Sequence, residues 1–212
     1  MYINASYIAM ETEVSWNSSL ETMIGQEGEK CSGLSWLYTE AERYYNNRNN
    51  YIALPVIILS TVTGFISGSS QILFTSASTA SIGIGGVSLF TGVLSTIGSY
   101  FSWAKKAEAC RITALQYSKL LKFIAIEMTL QKEERIRAKD MLKMIRETVE
   151  RLLETSPAIP PHIIAEYKVK FHTNKDITHP EVTTGVIKLN IYRDEDSAPG
   201  TIKTVAFKPS DP

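Results

Sequence analysis

Charged and apolar positions along this chain are segregated rather than interleaved. Between Arg48 and Lys105 there is no Asp, Glu, Lys, Arg or His. Inside that window two apolar stretches, Tyr51 to Gly68 and Ile82 to Trp103, flank the uncharged connector SSQILFTSASTAS. A helix needs about 20 residues to cross the hydrocarbon core of a bilayer, so the pattern predicts spanning helices at about 51–70 and 82–103.

Serine, threonine and glycine dilute both stretches. Each large apolar residue contributes only about −0.3 to −0.6 kcal/mol to insertion, and one central Lys or Asp at about +2.5 to +3.5 kcal/mol cancels most of the sum. Absence of charge is then the condition for spanning at all. The competing reading is an apolar hairpin buried inside a soluble bundle. A connector that is itself uncharged speaks for lipid.

The flanks predict an orientation. Arg43 and Arg48 precede the first stretch, and Lys105, Lys106 and Arg111 follow the second. Positive residues stay inside, so both termini are expected in the cytosol with a short loop across the membrane. Tyr44, Tyr45 and Tyr51 on one side of the hairpin and Tyr100 and Trp103 on the other would occupy one interface, beside the cations Arg43, Arg48, Lys105 and Lys106. Pro55 is expected in the first turn of its helix, where a missing N–H costs little.

Small residues recur at a spacing of four. Gly64 and Gly68 form a GxxxG, and Ser81 with Gly85, Ser88 with Gly92, and Ser95 with Ser99 extend the pattern along the second stretch. Such ridges let helix backbones approach closely. They predict a close-packed hairpin that also self-associates into a homo-oligomer. Serine and threonine on both spans would tolerate water and leave a pore open as a use.

Outside the window the chain divides into four parts. Residues 1–33 read as a polar N-terminal tail, with acidic residues where a secretory leader would be basic and no glycine for myristoylation. Residues 34–50 read as a juxtamembrane helix capped by Ser35. Residues 105–156 read as a cytosolic helical hairpin, Ala107–Leu130 followed by Glu133–Glu154. The same two segments could also form one long bent helix; in the second, Ala138, Leu142, Ile145, Val149 and Leu152 alternate by four and three in a coiled-coil-like seam. SPAIPP closes the helical part. Residues 157–212 read as an extended tail, in which GVIKLNIYR and TIKTVAF alternate like strands around the turn-prone DEDSAPG. The fold class expected is mainly α: a two-helix transmembrane hairpin with flanking cytosolic helices and a small β-like C-terminal tail.

Composition adds exclusions. Lys plus Arg and Asp plus Glu are 22 each, so net charge points to no nucleic acid. Cys31 and Cys110 lie far apart and suit a reduced compartment. His162, His172 and His179, with Asp176 and Glu181, match no standard ligand spacing, so no metal is expected. GIGGVS sits within an apolar stretch and reads as packing rather than a phosphate cradle. With no pairing of nucleophile and base either, neither an enzyme nor a cofactor is expected.

The juxtamembrane ERYYNNRNNY, the first span IALPVIILSTVTGF, the small-residue-rich second span and the helix ACRITALQYSKLLKFIAIEMTLQ, closed by AIPP, resemble the SLATT proteins over about Leu34 to Tyr167. That family comprises two-transmembrane domains of bacterial conflict systems and large DNA viruses. The resemblance implies a membrane-perturbing, pore-forming effector triggered in trans, since no nucleotide-sensing domain is evident here. The alternative is structural: an anchor linking the inner membrane of a large DNA virus particle to its capsid, with the tails docking capsid or scaffold proteins.

Overall fold

In a computed structural model the described residues are 15–69, 77–171, 173 and 176–185. They form helices α1 (Ser18–Gly68), α2 (Ala77–Phe101), α3 (Trp103–Thr129), α4 (Ala138–Thr155), α5 (Pro161–Phe171) and the single turn α6 (Glu181–Thr184), with no strand among them. The mainly α expectation holds at this level. The strand-like segments GVIKLNIYR and TIKTVAF lie beyond the described residues, apart from Gly185.

The first correction concerns where helix begins. α1 starts at Ser18, not near residue 34, and runs unbroken for 51 residues, about 75 Å at 1.5 Å per residue. Asn17 caps it, its side chain accepting the Leu20 N–H at 2.7 Å, and Glu21 sits in the first turn. Ser35, expected as a cap, instead donates its hydroxyl across to the Ala114 carbonyl of α3 at 3.1 Å. Residues 18–33 are polar on average, yet Ile24, Gly28 and Cys31 fall on one face and are buried. A narrow apolar stripe among glutamates suffices for a helix that packs on one side.

A second correction follows for Pro55. It lies deep inside α1, so its ring deprives the Tyr51 carbonyl of the usual helical partner. The helix continues through it.

α3 runs antiparallel along α1. Gly28 lies against Ile124, Ser35 against Ala114, and Tyr45 beneath Lys106. On α3 the buried positions Ala107, Cys110, Ala114, Tyr117, Leu120 and Ile124 recur every three or four residues. Tyr38 and Tyr117 stack with ring centroids 5.9 Å apart. The expected 105–156 hairpin therefore differs in its main contact: α3 packs chiefly on α1, and its contact with α4 is slight. Residues 133–137 belong to the connecting turn, and α4 starts at Ala138. Its seam turns inward, with Ala138, Ile145 and Leu152 buried and Leu142 and Val149 half-buried. Met141 joins it, fully buried.

The stretch after SPAIPP, expected as an extended tail, holds the helix α5 and the single turn α6 among its described residues. α5 buries Ile163 and Tyr167 against the bundle, and Trp36 of α1 meets Tyr167 and Phe171 at 5.6 and 5.4 Å. Residues 178–184 then dock on α1. The Thr178 N–H donates to Glu29 Oε2 at 2.8 Å, Lys30 pairs with Glu181 at 3.4 Å, and Pro180 is fully buried. Residues 156–160 separate α4 from α5, and Pro161 takes the first position of the new helix, where its missing N–H costs nothing.

At the far end of the bundle the α3–α4 turn is tied to the start of α1. Arg135 donates to Glu21 at 2.7 Å and to the Leu130 carbonyl at 2.9 Å, and its guanidinium lies 5.3 Å over the Trp16 ring. Trp16 Nε1 in turn donates to the Ile136 carbonyl at 3.0 Å.

Candidate functional site: an exposed apolar pair and its basic collar

Beyond Arg48, α1 leaves the bundle and has only α2 for company. Ile52, Val56, Leu59, Thr63 and Ile66, spaced by four and three, are half-buried, as are Asn49 and Ala53 near the base; on α2 the covered ones are Ile84, Thr91, Leu94 and Gly98. Gly98 lies directly against Ile52: a methyl group there would sit 3.4 Å from the Ile52 side chain.

Every other face of the pair is open. Phe65 is 71% exposed, Leu89 73% and Ile82 75%. No residue of the most apolar stretch of α1 is buried. Both helices are long and apolar enough to cross a membrane. A soluble hairpin turns such side chains into its own core; this one turns them outward, forming an apolar surface far beyond the scattered residues that soluble proteins expose.

The small residues named for helix packing fall on those open faces. Gly64, Gly68, Gly85 and Gly92 have no heavy atom within reach of an added methyl group, and Ser88, Ser95 and Ser99 are exposed. They do not form the contact within the hairpin, which corrects that part of the expectation. That contact uses larger side chains with Thr91 and Gly98, a three-and-four alternation present in the sequence but overshadowed by the denser glycine and serine pattern.

At the base of the pair sits a collar of aromatic and basic side chains. Arg48 lies over the Tyr44 ring at 5.4 Å, Lys106 over Tyr45 at 5.9 Å, and the two rings meet edge to face at 5.3 Å. The exposed His162 from the start of α5 adds a third contact to Tyr44 at 4.5 Å. α2 and α3 are separated at Ser102, whose φ of 50° is left-handed and uncommon for a residue with a side chain. Its hydroxyl donates to the Ser99 carbonyl at 2.8 Å. On either side of this break Phe101 and Trp103 stack at 4.8 Å, with Tyr100 against Phe101 at 5.2 Å. Tyr51, Tyr100 and Lys105 stand exposed and Trp103 is half-buried.

The other candidate chemistry does not assemble. His179 Nδ1 lies 3.3 Å from the Tyr167 hydroxyl, and Glu181 pairs with Lys30. His172 is outside the described residues. Among the described residues no three His, Cys, Asp or Glu side chains gather as metal ligands. Cys31 and Cys110 are buried free thiols; burial pushes the first up to about 12 and the second to about 11. A shallow groove of about 420 Å³ runs between Trp36, Leu121 and Lys170, but Lys170 rests over the Trp36 ring at 4.9 Å.

Comparison of the chain with protein-family models, with characterised proteins and with solved structures returns no match.

Proposed function

We propose that this chain is an integral membrane protein whose α1–α2 pair spans a bilayer, with the helical bundle and both termini on the cytosolic side. One observation carries the reading: the apolar pair projects from the bundle with its large side chains outward, where water would be the only alternative neighbour. The aromatic and basic collar at its base suits an interface.

Copies of the chain would associate through the outward ridge of Gly64 and Gly68 on α1 and Gly85, Ser88, Gly92, Ser95 and Ser99 on α2. That ridge is open, and small residues allow close helix approach in lipid. Such an assembly would act as a membrane-perturbing or pore-forming effector, the role that the SLATT resemblance implies. A second reading, a membrane anchor for a capsid or scaffold, draws on the continuity of α1. One helix joins the bundle to the apolar pair, so load on the bundle passes directly to the span.

The spanning role is tested by Val93→Lys. Val93 is 51% exposed and outside the α1–α2 contact, so the lysine leaves the hairpin fold alone but costs about 2.5–3.5 kcal/mol at the centre of a span. Wild-type chain should resist carbonate extraction and the variant should not. Equal retention of both would remove the placement of the second span. Dye release from vesicles holding the full chain supports the effector role; intact vesicles alongside co-purification with a scaffold would favour the anchor.

A further inference from the structure

The collar carries positive charge that the protein itself does not balance. Two neighbouring cations are paired: Arg43 with Glu40 at 2.8 Å and Arg111 with Glu108 at 2.7 Å. Other bundle cations, Lys119 and Arg146 among them, face solvent without an ion pair to the described residues; what sets the collar apart is its position against the apolar pair. Among the described residues, Arg48, Lys105 and Lys106 have no ion-pair partner. Arg48 and Lys106 come from different helices yet are held over one pair of touching tyrosines. An aromatic face attracts a cation but leaves its charge uncompensated.

Placement sharpens the point. Lys105 and Lys106 occupy the first turn of α3, which has no acidic residue. Two lysines at such a position, beside an arginine, are more stable with an anion in front of them.

We propose that this collar is a binding surface for anionic phospholipid headgroups, with Arg48 and Lys106 as its principal charge contacts and Lys105 reinforcing them. The occupant is argued from continuity: immediately past Arg48 and Lys105 comes the exposed apolar surface, so the layer level with the collar is the headgroup layer. The inference rests on the membrane reading above and adds lipid selectivity to it. Each cation at an anionic surface contributes a factor of about five, so the Arg48–Lys106 pair favours an acidic over a zwitterionic headgroup by up to about 30-fold.

The test uses the full chain reconstituted into vesicles of phosphatidylcholine mixed with phosphatidylglycerol, then extracted in mild detergent, with retained lipid quantified by mass spectrometry. Wild type should retain phosphatidylglycerol well above its share of the vesicle. R48Q/K106Q should fall to near that share, while the control Arg43→Gln, whose cation is already paired, should keep the enrichment. Both variants change exposed side chains, and matched thermal unfolding would confirm that the bundle is intact. Retention at the bulk ratio by wild type, or undiminished enrichment in R48Q/K106Q, overturns the assignment while carbonate resistance keeps the membrane reading. Displacement of the retained lipid by inorganic phosphate alone would mark a free-phosphate site and also overturn it. A wild-type chain that carbonate strips from the vesicles sinks both.

Discussion

Gly33 of α1 and Pro180 meet so closely that a methyl group on Gly33 would lie 2.5 Å from the proline ring, and 2.7 Å from the Tyr167 hydroxyl. Neither neighbour is a flexible chain end. Pro180 is fully buried, and Tyr167 is wedged between Trp36 and Phe171. Gly33→Ala should therefore lift residues 178–184 off α1 and destabilise the bundle by about 1–3 kcal/mol, as overpacking does. Limited proteolysis should cut the variant near residue 180 well before the wild type. Identical cleavage patterns would show that the close approach is relieved at no cost.

The Arg135–Glu21 contact predicts a response to acid. Hydrogen bonds from Arg135 and then Lys132 hold the Glu21 carboxyl below the usual carboxylate range. A group whose folded pKa is lowered stabilises the fold above its unfolded pKa, and that contribution disappears as pH falls through the folded value. Acidification into and below the carboxylate range should thus loosen the start of α1 from the α3–α4 turn. Trp16, whose indole donates to the Ile136 carbonyl, should report this through a change in fluorescence. Glu21→Gln should flatten that part of the pH profile, and an unchanged profile would assign the acid response to other carboxylates.

Cys31 and Cys110 should behave as inert packing groups. With the Cys31 thiol pushed up to about 12, at pH 8 only about one molecule in ten thousand carries the reactive thiolate, before counting the steric block of burial. Maleimide labelling of the folded chain should be at least about 100-fold slower than in denaturant. Comparable rates would mean that α1 and α3 separate readily.

The two sets of small residues on the apolar pair should separate by mutation. Gly98→Leu places bulk where α1 and α2 touch and should spread the hairpin. Gly64→Leu with Gly92→Leu places it on open faces, leaving the hairpin intact while weakening crosslinking between copies in detergent. Crosslinking that survives the second pair unchanged would exclude the outward ridge as the contact between copies.

Much of the fold was legible because its signals are local. The charge-free window, the two apolar stretches and the α4 seam each follow from residues within a few turns of one another. The beginning of α1 was hidden for the opposite reason: Ile24, Gly28 and Cys31 are spaced for a helix, but five glutamates in the first 30 residues read as tail until α3 is there to cover the stripe. Pro180 shows the same limit. Nothing near it in the chain announces that it fills the space above Gly33, since that space belongs to a helix almost 150 positions earlier in the sequence.

The candidate site divides along the same line. Tyr44, Tyr45, Arg48, Tyr51, Tyr100, Trp103, Lys105 and Lys106 could be picked out from their position beside the apolar window. Their mutual arrangement could not, because Arg48 and Lys106 share a tyrosine pair only through the register of α1 on α3.

What this sequence determined alone is where charge is forbidden and where helical stripes lie, because composition and a 3.6-residue period need no partner to be read. Which stripe is covered was decided by tertiary structure. A glycine ridge and a leucine seam are both helical faces, and only the neighbour's position turns one inward, as with Gly98 against Ile52, and leaves the other, as with Gly92, facing out.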